Sequence, residues 1–413
     1  MRTSHLIRLT GLIPALVALS LASCSSLKDN NAPPSGLQCD QVINGGGDAA
    51  SLTTALKTAT SGSCVLVVTQ TYSGNFGVPA GVTLASAQGS RAIFTGTDAN
   101  LPAISLTGDP KTGVWDVDVH GSAQVGIAVK NGAAHIENVT VNGAASAAIG
   151  ALCTDASTCH DGAHTLVLDD VHLVGNAFGL WTKGADVMMT GGEASQNTSQ
   201  TLSGGDGIVA FGGAHVTLDG TSVIGNDQVG ILFDASGDTG TTGDLKSVDV
   251  SQNGARGVWA QHLNGTIDAP ALKIEGASSL SGNKIVGLGA TESHGIIFVG
   301  GKIENTVASP IVTDLGTQEQ VGDGFGMFNN TGEVKFDSVA ITNSARAGGL
   351  VDTATGVIIF VGGSVGASAS NLKIVVQNTS AANATALQIP ADTVTTSPVL
   401  GFTAPQITVG SVL

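Results

Sequence analysis

Five side chains able to do chemistry fall within one stretch: Asp206, Asp227, Asp234, Arg256 and His262. Carboxylates in such a group can hold calcium or work as a general acid and base, and a basic side chain among them can handle a proton. Asp206 stands between Gly205 and Gly207, and Asp227 follows Gly225-Asn226, so both also suit plain turn positions. His120, His135, His164, His172 and His215 are scattered without the short spacings of a metal site. They read as surface or corner residues, and no metal centre is firmly expected.

The elements that must position these residues repeat. Val223-Ile-Gly-Asn-Asp-Gln-Val-Gly-Ile-Leu-Phe233 runs from an apolar pair through a Gly-Asn turn to a Gly and a new apolar run. The pattern returns at Asn176 with Gly179-Leu180, Asn253 with Gly257-Val258, Asn283 with Gly287-Leu288 and Asn343 with Gly349-Leu350. Looser copies join Asn142 to Ile149, Asn197 to Ile208 and Asn305 to Met327. The first apolar residues after each corner, from Ile127 to Leu350, recur every 22 to 39 residues. Units of two or three short strands cannot bury an apolar face alone, but stacked copies can. The asparagines suit tight left-handed corners, and stacked amides can bond along the pile.

With its Gly-Asn corner and following Gly-[Ile/Leu/Val], the chain resembles the pectin-lyase-like family of right-handed parallel β-helices over roughly residues 40–380. The expected fold is all-β, a right-handed parallel solenoid, with Asp48-Ala-Ala-Ser-Leu-Thr-Thr-Ala-Leu-Lys57 as a capping helix. If Leu180, Ile208, Ile231 and Val258 point inward, then Trp181, Val209, Leu232 and Trp259 point outward on one strip. The two tryptophans would stand about 15 Å apart, three coils from each other. Trp181, Leu232 and Trp259 are therefore the candidate ligand face, where sugar rings could stack, or a strip covered by loops. The resemblance also implies what the carboxylates would do in an enzyme. Family lyases remove the proton α to a uronate carboxylate with a basic residue and calcium, and family hydrolases use paired carboxylates. Arg256 with Asp206 and Asp234 is the local set that could imitate the first.

The chain starts with Arg2 and Arg8 before an apolar run from Leu9 to Ala22, too short to span a bilayer. Leu21-Ala22-Ser23-Cys24 resembles a bacterial lipobox, which implies a lipidated Cys24 and attachment to membrane lipid. Ser25 after it suggests the outer membrane. Loss of Arg2 and Arg8 would leave 14 of the 16 basic side chains against 32 acidic ones, a formal charge of −18. Such a body disfavours nucleic acid and other polyanions unless calcium intervenes. Cys39, Cys64, Cys153 and Cys159 allow three pairings, of which the local one, 39 with 64 and 153 with 159, closes the shortest loops.

The expected organisation is a signal peptide over residues 1–23, a tether over 24–38, a cap with first coils over 39–91, the β-helix body over 92–366, and last coils with a C-terminal cover over 367–413. The expected function is a non-catalytic envelope lipoprotein presenting a lateral face to polysaccharide or a surface protein. The alternative is a surface polysaccharide lyase or glycoside hydrolase.

Overall fold

The structure is a computed structural model that describes residues 32–413, apart from 122–123, 155–158, 161–163, 199–203, 238–239, 313–316, 381–387, 389–393, 396–398, 403–406, 408, 410–411 and 413. The leader and Cys24 lie outside the described residues.

Each coil carries three short strands, as in Leu166–Asp169, His172–Val174 and Phe178–Lys183. Equivalent strands of successive coils pair in parallel, giving a first sheet of 13 strands, a second of 12 and a third of 14. The corners are sharp because single residues take left-handed backbone. In this coil those are Asp170 (φ 50°), Gly175 (φ 68°) and Gly184 (φ 65°). Alternation does the rest: Leu166, Leu168, Leu173 and Leu180 point in and are 0–1% exposed, while Val167 and Asp169 face out. Stacking turns these into columns such as Ile149, Leu180, Ile208, Ile231, Val258 and Leu288, all fully buried.

The recurring asparagines divide into two roles. Asn176, Asn197, Asn226, Asn253 and Asn283 are at most 1% exposed and form a ladder inside the corner between the second and third sheets. The Asn197, Asn226 and Asn253 amides each donate to the next Oδ1 at 2.7 to 2.9 Å, with Asn176 the loosest at 3.4 Å. The left-handed corner residue is the one before each: Gly175, Gln196, Gly225, Gln252 and Gly282. Asn305 (φ 57°) and Asn343 (φ 55°) occupy that corner position instead, outside the ladder. The glycine after each ladder residue has a steric cause. A Cβ on Gly207, Gly230 or Gly257 would meet the Nδ2 of the neighbouring ladder asparagine at 2.7 to 2.8 Å.

The register corrects the sequence alignment at its end. Leu288 pairs with Phe325 and then Gly349, so Met327 lies two places further along its strand. Leu350 is an outward residue, because Gly348, not Gly349, follows the ladder position. A slip of one residue reverses the face of every side chain beyond it.

The helix Ala49–Thr58 covers the first coils through Leu52, Ala55 and Leu56, and the Asp48 carboxylate accepts from Ser51 N at 2.8 Å as its cap. Cys39 bonds Cys64, and Cys153 bonds Cys159. No helix among the described residues is long and apolar enough to cross a membrane.

The outward strip of the third sheet is not open. Trp181, Leu232 and Trp259 do stand in one outward column, yet they are 1%, 1% and 0% exposed. They belong to a second apolar cluster in which Leu400, Phe402, Ile407, Val409 and Val412 lie over the sheet. Two glutamine side chains hold this C-terminal segment by imitating a neighbouring strand. Gln377 exchanges both amide bonds with the backbone of Leu400, each at 2.7 Å. Gln261 does the same with Ile407, at 2.8 and 2.9 Å. Phe402 stacks on Phe328 at 4.3 Å. Gln261 and Gln377 share a column four coils apart, about 19 Å. The ligand face expected at these tryptophans is therefore a covered internal surface.

Candidate functional site: the polar face of the first sheet

With the third sheet sealed, the first sheet presents the chemically varied lateral face. Its outward positions form parallel files. One holds Asp186, His215 and Thr242; the next holds Met188, Thr217, Asp244 and Lys273; a third holds Thr190, Asp219, Lys246 and Glu275. The pattern follows from strands whose alternate residues are polar, such as His215-Val-Thr-Leu-Asp219, with Val216 and Leu218 in the core. Lys246 pairs with Asp219 at 3.0 Å and Lys273 with Glu275 at 2.6 Å. Met188 stands 45% exposed among them.

Nearer the N-terminal end, His135, Glu137 and Asp169 converge from adjacent coils. His135 Nε2 lies 2.8 Å from Asp169 Oδ2 and 3.5 Å from Glu137 Oε2. All three are about one-third exposed. The Trp115 ring meets the imidazole edge to face at 5.0 Å. Partial burial pushes the Glu137 carboxyl above its ordinary range, His135 opposes this, and Asp169 adds to it. Beside the group opens a cavity of about 260 Å³ lined by Asp40, Thr83, Lys111, Trp115 and His135 among others. An imidazole between two carboxylates, next to an indole and a recess, can bind and orient hydroxyl groups.

A second group forms where His160 meets Asp186 and His215. Asp186 Oδ1 is 2.6 Å from His160 Nδ1 and 3.3 Å from His215 Nδ1, and the two imidazoles stack at 4.4 Å. Short spacings in the sequence do not mark this group. His160 and Asp186 are 26 residues apart, one coil, and one coil is a contact distance in this fold.

The residues singled out first do not assemble. Asp206 and Arg256 lie at the starts of their strands, with Asp234 at the end of its strand and His262 just past the next. Five residues of extended chain put the two pairs about 16 Å apart. Asp206 is 7% exposed and accepts from Val229 N at 2.9 Å, and burial raises its pKa to about 6. Arg256 is 9% exposed over the Trp259 ring at 4.4 Å, and burial lowers its pKa to about 10. It stays charged and enclosed, neither base nor substrate clamp. Asp234 accepts from Ser236 N at 2.8 Å as a turn cap. Asp227 is exposed at a corner. His262 has left-handed backbone (φ 57°) and lies 3.4 Å from Glu292. These positions shape the coil, and their carboxylates do not converge on a common calcium position.

Three parallel sheets wound as one coil define the class, a parallel β-helix. The profile described as right handed beta helix region matches residues 102–312, about half of the chain, which therefore belongs to that family. In solved structures, the chain is similar to the catalytic unit of a thermostable GH87 α-1,3-glucanase from Streptomyces thermodiastaticus, with a TM-score of 0.51 and 13% identity over 81% of this chain. It spans 62% of that glucanase unit. It is also similar to the periplasmic alginate epimerase AlgG, with a TM-score of 0.53, 10% identity, and 83% and 84% of the two chains covered. At these identities the likeness establishes the fold. No curated protein matches the sequence significantly.

Proposed function

We propose that this is an exported envelope protein, carried on a lipidated Cys24, that binds polysaccharide along the outward face of its first sheet without cleaving it. The observation that carries the reading is the contrast between faces: the third sheet is sealed by the C-terminal segment, whereas the first displays His135, Met188 and files of hydroxyl and carboxylate groups, with Trp115 buried behind His135. Stacked coils repeat such groups about every 4.8 Å, a spacing that suits an extended polymer better than a compact ligand. Neighbours named as a glucanase and an alginate epimerase support a carbohydrate role for the fold. A second reading, hydrolysis or elimination at this face, draws on the contact of His135 with Glu137 and Asp169.

The test is a panel of neutral and acidic polysaccharides offered to the protein with and without calcium. Binding without new chain ends, weakened about tenfold or more by His135→Ala but not by Arg256→Lys, is the expected result. Release of reducing or unsaturated ends that vanishes in His135→Ala would replace it with the enzymatic reading.

A further inference from the structure

The geometry points to a site for a zinc-like divalent transition-metal ion made by His160, Asp186 and His215, an inference independent of the glycan reading. Asp186 and His215 are register neighbours facing outward from adjacent strands. His160 comes from elsewhere: it directly follows Cys159, whose bond to Cys153 closes a six-residue separation and sets the histidine against the sheet. The three ligand atoms all lie within 4.8 Å of one another. Tetrahedral zinc, with bonds of about 2.0–2.2 Å, needs ligand atoms roughly 3.3–3.5 Å apart. The separations from Asp186 Oδ1, 2.6 and 3.3 Å, are near that value, and the two imidazoles, stacked with planes 23° apart, must turn out of the stack for both Nδ1 lone pairs to meet one ion.

The donor set chooses the ion. Two imidazole nitrogens and one carboxylate suit zinc and its neighbours, whereas calcium takes six to eight oxygens. The other convergence on this face, His135 with Glu137 and Asp169, offers a single nitrogen and is the poorer set. The His160, Asp186 and His215 side chains are 26%, 16% and 43% exposed, so three protein ligands would leave a coordination position facing solvent.

The experiment titrates the purified, metal-stripped protein with Zn²⁺ by calorimetry, with Co²⁺ absorption reporting coordination. One saturable equivalent with a low-coordinate cobalt spectrum is expected. His160→Ala, His215→Ala and Asp186→Asn should each weaken it more than about tenfold, while His172→Ala on the second sheet leaves it unchanged. Cys153→Ser combined with Cys159→Ser should also weaken it, with the β-sheet circular dichroism retained. The histidine variants carry the test if the aspartate variant folds poorly. The site is refuted if no equivalent binds, if binding survives both His160→Ala and His215→Ala, or if His135→Ala abolishes it instead. Unchanged affinity in the double cysteine variant overturns the part given to the disulfide.

Discussion

Asp206 shows how a residue suited to catalysis can instead be a structural cost. It is buried at the edge of the covered third sheet, one backbone N–H donates to it, and Arg256 two coils away offsets only part of its desolvation. The folded carboxyl titrates at about 6 against an ordinary 3.8, so the fold favours the protonated form. Its contribution to stability is full below pH 3.8 and is lost as pH rises through about 6, an amount of about 3 kcal/mol at most. Asp206→Asn keeps an oxygen for Val229 N and cannot ionise. Urea unfolding of wild type and variant should therefore agree near pH 3 and diverge by pH 7.5, with the variant the more stable. A difference that stays constant across this range would show that Asp206 is solvated in a way its burial denies. The ladder asparagines are the opposite case, buried polar groups whose bonds are met within the stack.

Among the elements, the C-terminal segment decides which face of the helix is available. It shields Trp181, Leu232, Trp259 and Phe328 from water, and its anchoring relies on Gln261, Gln377 and an Arg346 Nη1 bond to Gly401 O at 2.7 Å. Ending the chain before Val399 should expose that strip: tryptophan emission shifts to the red and a hydrophobic dye binds. If emission and dye binding stay as in the full protein, the strip has another cover. The coils themselves were readable in sequence, because the ladder asparagine, the glycine beside it and the alternating strand are dictated within one repeat. The cover was not. Phe402 and Ile407 meet Phe328 and Gln261 through contacts that cross many coils, and nothing local marks a glutamine as a strand mimic. The frame slip at Gly348-Gly349-Leu350 has the same origin, since two adjacent glycines fit the repeat equally well until the neighbouring coil selects one. The convergence of His215 with His160 and Asp186 is not legible in sequence because in a solenoid proximity is counted in coils rather than residues.

At the scale of the molecule, charge limits what the first sheet's face can take. The chain carries 16 Lys and Arg against 32 Asp and Glu. The cations on this face are already committed, Lys111 to Asp40, Lys246 to Asp219, Lys273 to Glu275 and Lys335 to Asp337. A polyuronate would meet net negative charge with few cations to spare, whereas a neutral glycan needs only hydroxyl, carboxylate and imidazole contacts. Exposed charges are screened beyond about 8 Å at physiological salt, so an interaction driven by charge must respond to ionic strength. Affinity for a neutral polysaccharide is accordingly expected to change less than about threefold between 50 and 500 mM salt. Polyuronate binding should appear only when millimolar calcium bridges the two sets of carboxylates. Affinity electrophoresis across a salt series, with calcium or a chelator present, measures both. A polyuronate retained under chelator and released by salt would mean that the basic residues are not held by their partners, and the face would have to be reassigned as an anion-binding surface.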